Sequence, residues 1–232
     1  MNGFTHLLRA RLHPGAWALL VIIIVFGLQQ ILTDNIAFTK TTPSQFDQFI
    51  SDDVQNLLWK LTKFCVLGTA IYFWLANQKK WLRNAILVCN ILLTIELCSS
   101  VFLLVTTLGS TAPAQLTALI KDTVIVMFIN VLIFSLWYWL IDAPTIRQVT
   151  KHTDEPYDFL FPQRANQISG YEKWQPWYPD YLFLAIITTT TFGPADTLPL
   201  TSRAKMLMAL QVIIAFLTLS LLAGRALALM GT

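Results

Sequence analysis

Five stretches of this chain are apolar for about the 20 residues that a helix needs to cross a bilayer core. They run from Trp17 to Leu32, Leu57 to Ala76, Ala85 to Leu108, Leu116 to Ile141 and Ala204 to Met230. No other feature constrains the fold as tightly, because only structures that pair every backbone polar group internally survive in hydrocarbon. Composition agrees: 55% of the 232 residues are hydrophobic and 12% are charged, about half the charge of a soluble domain. A sixth run, Tyr181 to Phe192, is too short for a regular span and suits a re-entrant or pore helix. The expected fold is an all-α integral membrane protein. Four transmembrane helices occupy residues 1–142. An aromatic- and proline-rich loop covers 143–180. A short pore-like or re-entrant helix and a final transmembrane helix fill 181–232.

The basic start and first apolar run resemble a leader, but FGLQQILTDN offers no small-residue cleavage site, so the run reads as a retained first span. The connections differ in character. Residues 33–56 form a polar loop with Asp34, Asp47, Asp52 and Asp53, and NQKKWLRN (77–84) is a tight basic turn. Trp137, Tyr138, Trp139, Trp174, Trp177 and Tyr178 flank the long loop, as amphipathic rings do at a membrane interface. If four spans alternate, Arg9, Arg11, Lys79, Lys80, Arg83, Arg147, Lys151, Arg164 and Lys173 share one side, against Lys40 on the other. The positive-inside rule then puts the N-terminus and the 142–180 loop of this multi-pass protein in the cytoplasm.

The chemistry-bearing residues are few. Glu96 sits near the middle of the third span, where a carboxyl is costly and should face protein or water. It reads equally as an ion station or a packing hydrogen bond, with Lys63 the nearest basic residue in depth. Asn90, Asn130 and Gln211 fit interhelical hydrogen bonds. Lys121, Asp122 and Arg225 read as interface anchors, and Asp154, Glu155 and Asp158 as a solvated acidic turn. Cys65, Cys89 and Cys98 read as buried free thiols. His6, His13 and His152 have no ligand spacing. No catalytic motif, cofactor motif, metal cluster or nucleic-acid motif is present in the sequence.

The stretch AIITTTTFGPADTLPLT (185–201) carries the sharpest question. A short helix ending near Thr191 or Phe192 should break at Gly193-Pro194, because proline cannot continue a helix and glycine allows unusual backbone angles. Thr188, Thr189, Thr190 and Thr191 supply hydroxyls, and unwound backbone supplies carbonyls, the oxygen ligands that replace a cation's hydration shell. The competing reading is a hairpin whose threonines bond back to their own helix. Asp196 reads as a cap for the last helix, as a partner of Arg203, or as a cation-attracting charge.

This segment resembles the pore region of tetrameric potassium channels, TTxGYGDxxPxT followed by an inner helix. Thr190, Thr191, Gly193, Asp196, Pro199 and Thr201 fall in register, while Pro194 and Ala195 replace the Tyr-Gly of the filter. The C-terminal 100 residues also resemble a family of bacterial membrane proteins that is channel-like by sequence. The shared residues are Asn130, Phe134, Leu136 to Trp139, Phe159 to Gln163, Trp174, Pro176, Asp180 to Leu182, Pro194 to Thr201 and Ala204 to Gln211. The resemblance implies a channel-like protein with an altered filter, the lipid bilayer, a monovalent cation and further copies of the chain as partners. The alternative is a non-conducting membrane scaffold or sensor. Residues 181–199 either cross the membrane, giving six segments, or re-enter it; six segments with a short, irregular fifth is the slightly preferred expectation.

Overall fold

The structure is a computed structural model. It describes residues 14–40, 46–106, 116–142, 157–165, 170, 174–194 and 196–230. Among the described residues, seven helices and two short strands follow one another as α1 (Pro14–Lys40), α2 (Phe46–Leu75), α3 (Lys79–Thr106), α4 (Leu116–Asp142), β1 (Phe159–Leu160), α5 (Pro162–Ala165), α6 (Tyr178–Thr191), β2 (Leu198–Pro199) and α7 (Ser202–Met230). Four are long and apolar enough to cross a membrane, over Gly15–Leu32, Lys80–Val105, Ile120–Asp142 and Ser202–Gly224. The protein is therefore helical and suited to a bilayer. The fifth expected span, on α2, falls outside this set, because Lys60 and Lys63 interrupt its apolar stretch.

Helices also run past the apolar segments. The expected polar loop 33–56 is largely helical, with Asp34 on α1 and Asp47, Asp52 and Asp53 on α2. A helix closes its own hydrogen bonds and needs no hydrocarbon to continue. His6, His13, His152, Asp154 and Glu155 lie outside the described residues, as does most of the 143–180 loop.

The chain forms two compact units, Met1–Leu93 and Thr94–Thr232. The boundary falls within α3 and assigns α4 to the unit containing α6 and α7, unlike the sequence division at residue 142. In the first unit, a Cβ built on Gly15 would lie 2.8 Å from Leu82 and 3.5 Å from Trp74. Deeper in, Gln29 donates to the Leu93 carbonyl at 3.0 Å. Two contacts advancing along both helices make α1 and α3 parallel. α2 returns between them, its Phe64 ring 4.6 Å from that of Phe26. The α2–α3 turn holds Asn77 at φ 53, a left-handed conformation that Asn tolerates better than most residues.

In the second unit, α4 packs against both α6 and α7. The strands pair antiparallel, Phe159 opposite Pro199 and Leu160 opposite Leu198. This pairing explains the FLFPQ motif. Phe159 is buried against Tyr138 with ring centroids 5.0 Å apart, and Phe161 packs edge-on against Trp174 and Tyr181, both at 5.6 Å. Tyr138, Trp139 and Tyr178 are buried as well. These three are internal aromatic packing, where the sequence suggested an interface belt.

Candidate functional site

α6 starts where local chemistry favours it. Pro179 occupies the first turn, where no intrahelical N–H is required. The Asp180 carboxylate accepts the Trp177 N–H at 2.6 Å and places negative charge at the helix start. The helix ends at Thr191, and Phe192 adopts φ 57, ψ 31. The expected end and irregular turn are present, but the conformational cause differs. Phe192, not Gly193, takes the left-handed angle, and a Cβ on Gly193 would meet nothing within 4 Å.

Three of the four threonines bond back to their own helix. Thr189 donates to Ala185 O at 2.9 Å, Thr190 to Ile186 O at 3.0 Å, and Thr191 to Ile187 O at 2.8 Å and Gly193 O at 3.0 Å. Thr188 and Thr189 are buried, whereas Thr190, Thr191, Phe192, Pro194 and Asp196 are exposed. A hydroxyl that donates keeps its lone pairs for an acceptor role. The arrangement therefore permits oxygen ligation at Thr190 and Thr191 without requiring it.

Two carboxylates anchor both ends of this excursion. Asp142, at the end of α4, accepts the Tyr181 hydroxyl at 2.9 Å and the Asp158 N–H at 2.8 Å. Its ion pair with Arg164 is longer, 3.8 Å. Asp158 accepts Arg203 Nε at 2.7 Å and Nη2 at 2.8 Å, together with the Thr201 hydroxyl. Its carbonyl takes the Leu200 N–H at 2.8 Å. α6 and α7 thus begin beside the same end of α4.

Gln211 makes the next connection inward. Its Nε2 donates to Ala185 O at 2.9 Å and Thr189 Oγ1 at 2.8 Å, its Oε1 accepts the Tyr138 hydroxyl, and its carbonyl accepts Asn130 at 3.4 Å. Farther in, the Phe192 and Phe216 rings lie 6.0 Å apart. Three successive levels of contact make α6 and α7 parallel. Two consecutive crossings would be antiparallel, so this geometry disagrees with the preferred six-segment expectation. After the break, β2 pairs with β1, and the Leu200 N–H reaches the Asp158 carbonyl beside the end of α4.

Other expected sites resolve separately. Asp196 bonds to Thr197 Oγ1 at 3.1 Å. The cap of α7 is Thr201, whose Oγ1 accepts the Ala204 N–H at 3.3 Å, and Arg203 pairs with Asp158, so neither expected structural role belongs to Asp196. Asp158 is buried, contrary to a solvated acidic turn, and Asp122 is buried, contrary to an interface anchor. Lys121 is exposed, and the Arg225 side chain lies outside the described residues. Glu96 and Asn90 are buried, and the Glu96 carbonyl accepts Ser99 Oγ at 2.8 Å. Lys63 is buried in the first unit, its ammonium 5.2 Å from the Phe26 centroid. Cys89 is buried but Cys65 and Cys98 are exposed; all three are free.

Among the described residues no cluster of His, Cys, Asp and Glu could hold a metal. Neither the family models, nor the curated proteins, nor the solved structures compared with this chain contain a match. The site must be interpreted from its own geometry. The two carboxylate anchors were the part that sequence reasoning missed; the only local signal was Asp158 immediately preceding FLFPQ.

Proposed function

We propose that this is an ion-channel-like membrane protein whose second unit carries a re-entrant pore loop. In this reading α6 enters the bilayer, 192–197 returns, and α7 crosses as the inner helix. The observation that carries it is the parallel course of α6 and α7 from one end of α4. At about 1.5 Å per residue, the 14-residue α6 reaches about 21 Å, short of a bilayer core.

Membrane physics supplies the link to an oligomer. Thr190, Thr191, Phe192, Pro194 and Asp196 are exposed in the single chain. Non-helical backbone at membrane depth requires cover from protein or water. Further copies of the chain around a wet axis meet that need, with oxygen atoms of Thr190, Thr191 and the Phe192–Pro194 backbone facing a monovalent cation. Pro194 lacks an N–H and Ala195 disfavours positive angles, so the path is not a potassium-selective filter. α2 serves as a fifth span because the chain must return between parallel α1 and α3. The basic residues favour a cytoplasmic N-terminus and loop entry from the cytoplasmic side of a bacterial plasma membrane.

A second reading, a non-conducting scaffold or sensor, draws on Thr189, Thr190 and Thr191 bonding back to their own helix. Flux through the full chain in liposomes separates them. The channel-like reading expects K⁺ and Na⁺ flux, reduced by Thr191→Val and, at low salt, by Asp196→Asn. Absence of flux in folded, oligomeric protein favours the second reading.

A further inference from the structure

We propose that Asp158 is the positioning residue for Asp196 and Thr197, the end of the return segment, holding them through a clamp on Leu200, Thr201 and the first turn of α7. The proposal concerns the same loop as the channel-like reading but rests on its attachment geometry, not on conduction.

The clamp is assembled from distant parts of the chain. Asp158 is fully buried, and both carboxylate oxygens bind Arg203, at 2.7 and 2.8 Å. A two-point carboxylate–guanidinium contact fixes orientation as well as distance. The Thr201 hydroxyl joins the same Oδ1, and the Leu200 N–H binds the Asp158 carbonyl at 2.8 Å. Leu200, Thr201 and Arg203, three residues within a four-residue stretch, thereby attach to one residue. Asp158 in turn donates its N–H to Asp142 at 2.8 Å, which anchors the clamp to α4.

The chemistry also answers a local electrostatic problem. α7 has no acidic residue in its first turn, yet Arg203 and Lys205 occupy that end. Cations are unfavourable at a helix N-terminus, and a nearby anion offsets them. Asp158 supplies the anion from outside the helix. Farther along α7, Gln211 provides a separate connection to α6 and α4. Loss of the Asp158–Arg203 contact should consequently free the return segment before it separates the helices. Arg203 is half-exposed, with 52% side-chain exposure, so water can reach the guanidinium as the contact opens.

Two cysteine reporters distinguish positioning from general folding. In a chain whose Cys65, Cys89 and Cys98 are replaced by alanine, Thr197→Cys reports on the return segment and Leu184→Cys on the α6 interior. Both native residues are buried. Labelling by a water-soluble maleimide is measured in the membrane-embedded full chain, alongside thermal unfolding. Asp158→Asn, which preserves size and the backbone bonds, should raise Thr197→Cys labelling about tenfold with little change at Leu184→Cys, because charged hydrogen bonds are lost locally. Arg203→Lys should produce a smaller increase, since it keeps charge but loses the planar two-point contact. Unchanged Thr197→Cys labelling in both variants would overturn the proposal. So would parallel increases at both reporters, or failure of both variants to fold, because the pair would then support the whole unit. The labelling does not depend on ion flux: a non-conducting protein with selective Thr197→Cys release retains this inference and loses only the channel-like reading.

Discussion

The helices of Met1–Leu93 and those of Thr94–Thr232 meet their packing requirements differently. In the first unit, α1, α2 and α3 bring Ile22, Phe26, Val66 and Leu92 around one small space that the buried Lys63 also lines. Gln29 adds a bond to Leu93 O. In the second, Gln211 alone contacts α4 and α6 through three side-chain bonds, while Asp142 and Asp158 tie strands, loop and helices together. Long apolar helices can align through dispersion and shape. A short helix followed by irregular backbone has fewer such contacts and more backbone groups to satisfy, so directed polar bonds set its position.

Substitution can break this contrast at its strongest point. Gln211→Leu should destabilise the second unit by about 2–4 kcal/mol, because Tyr138 and Ala185 O lose their buried partner. Reversible unfolding in mixed detergent would measure the change. A loss below that of Gln29→Leu would remove the claimed difference between the units. Asp142→Ala should cost about 2–3 kcal/mol in the same assay, since the Tyr181 hydroxyl and Asp158 N–H are left without their acceptor.

The contrast predicts a smaller response in the first unit. Gln29→Leu should lower stability by about 0.6 kcal/mol, near the mean for a hydrogen bond between membrane helices. At the end of α6, Gly193→Ala should change stability by less than about 0.5 kcal/mol, because its Cβ enters open space without a left-handed angle. A large loss there would show that Gly193 needs a conformation absent from this structure. Asp196→Ala should leave the unfolding midpoint unchanged, since Thr201 holds the α7 cap. A clear fall in that midpoint would restore a structural role to Asp196.

Much of the helical framework was legible because apolar length carries information about it. The break near Thr191 was legible because Pro194 has no N–H to continue the helix, although the left-handed turn itself falls on Phe192. Gln211 and Asn130 were expected to bond between helices, and they do. The identity of the left-handed residue was harder to infer. Glycine usually relieves positive-angle strain, but here the turn places Phe192 at that angle, with its ring against Phe216. Asp196 drew attention by its place beside α7, while the actual partner of Arg203 is Asp158, 45 residues upstream of it.

By itself, the sequence determined that the chain is rich in membrane-compatible helices and that a helix stops near Thr191, because hydropathy and backbone chemistry act over short segments. Tertiary structure decided that α6 and α7 run parallel, that FLFPQ pairs with the segment after the break, and that two buried aspartates anchor both. Those outcomes depend on bonds between residues distant in the chain. One sequence records which donors and acceptors exist, but their pairing is selected only when α4, α6, β1, β2 and α7 pack together.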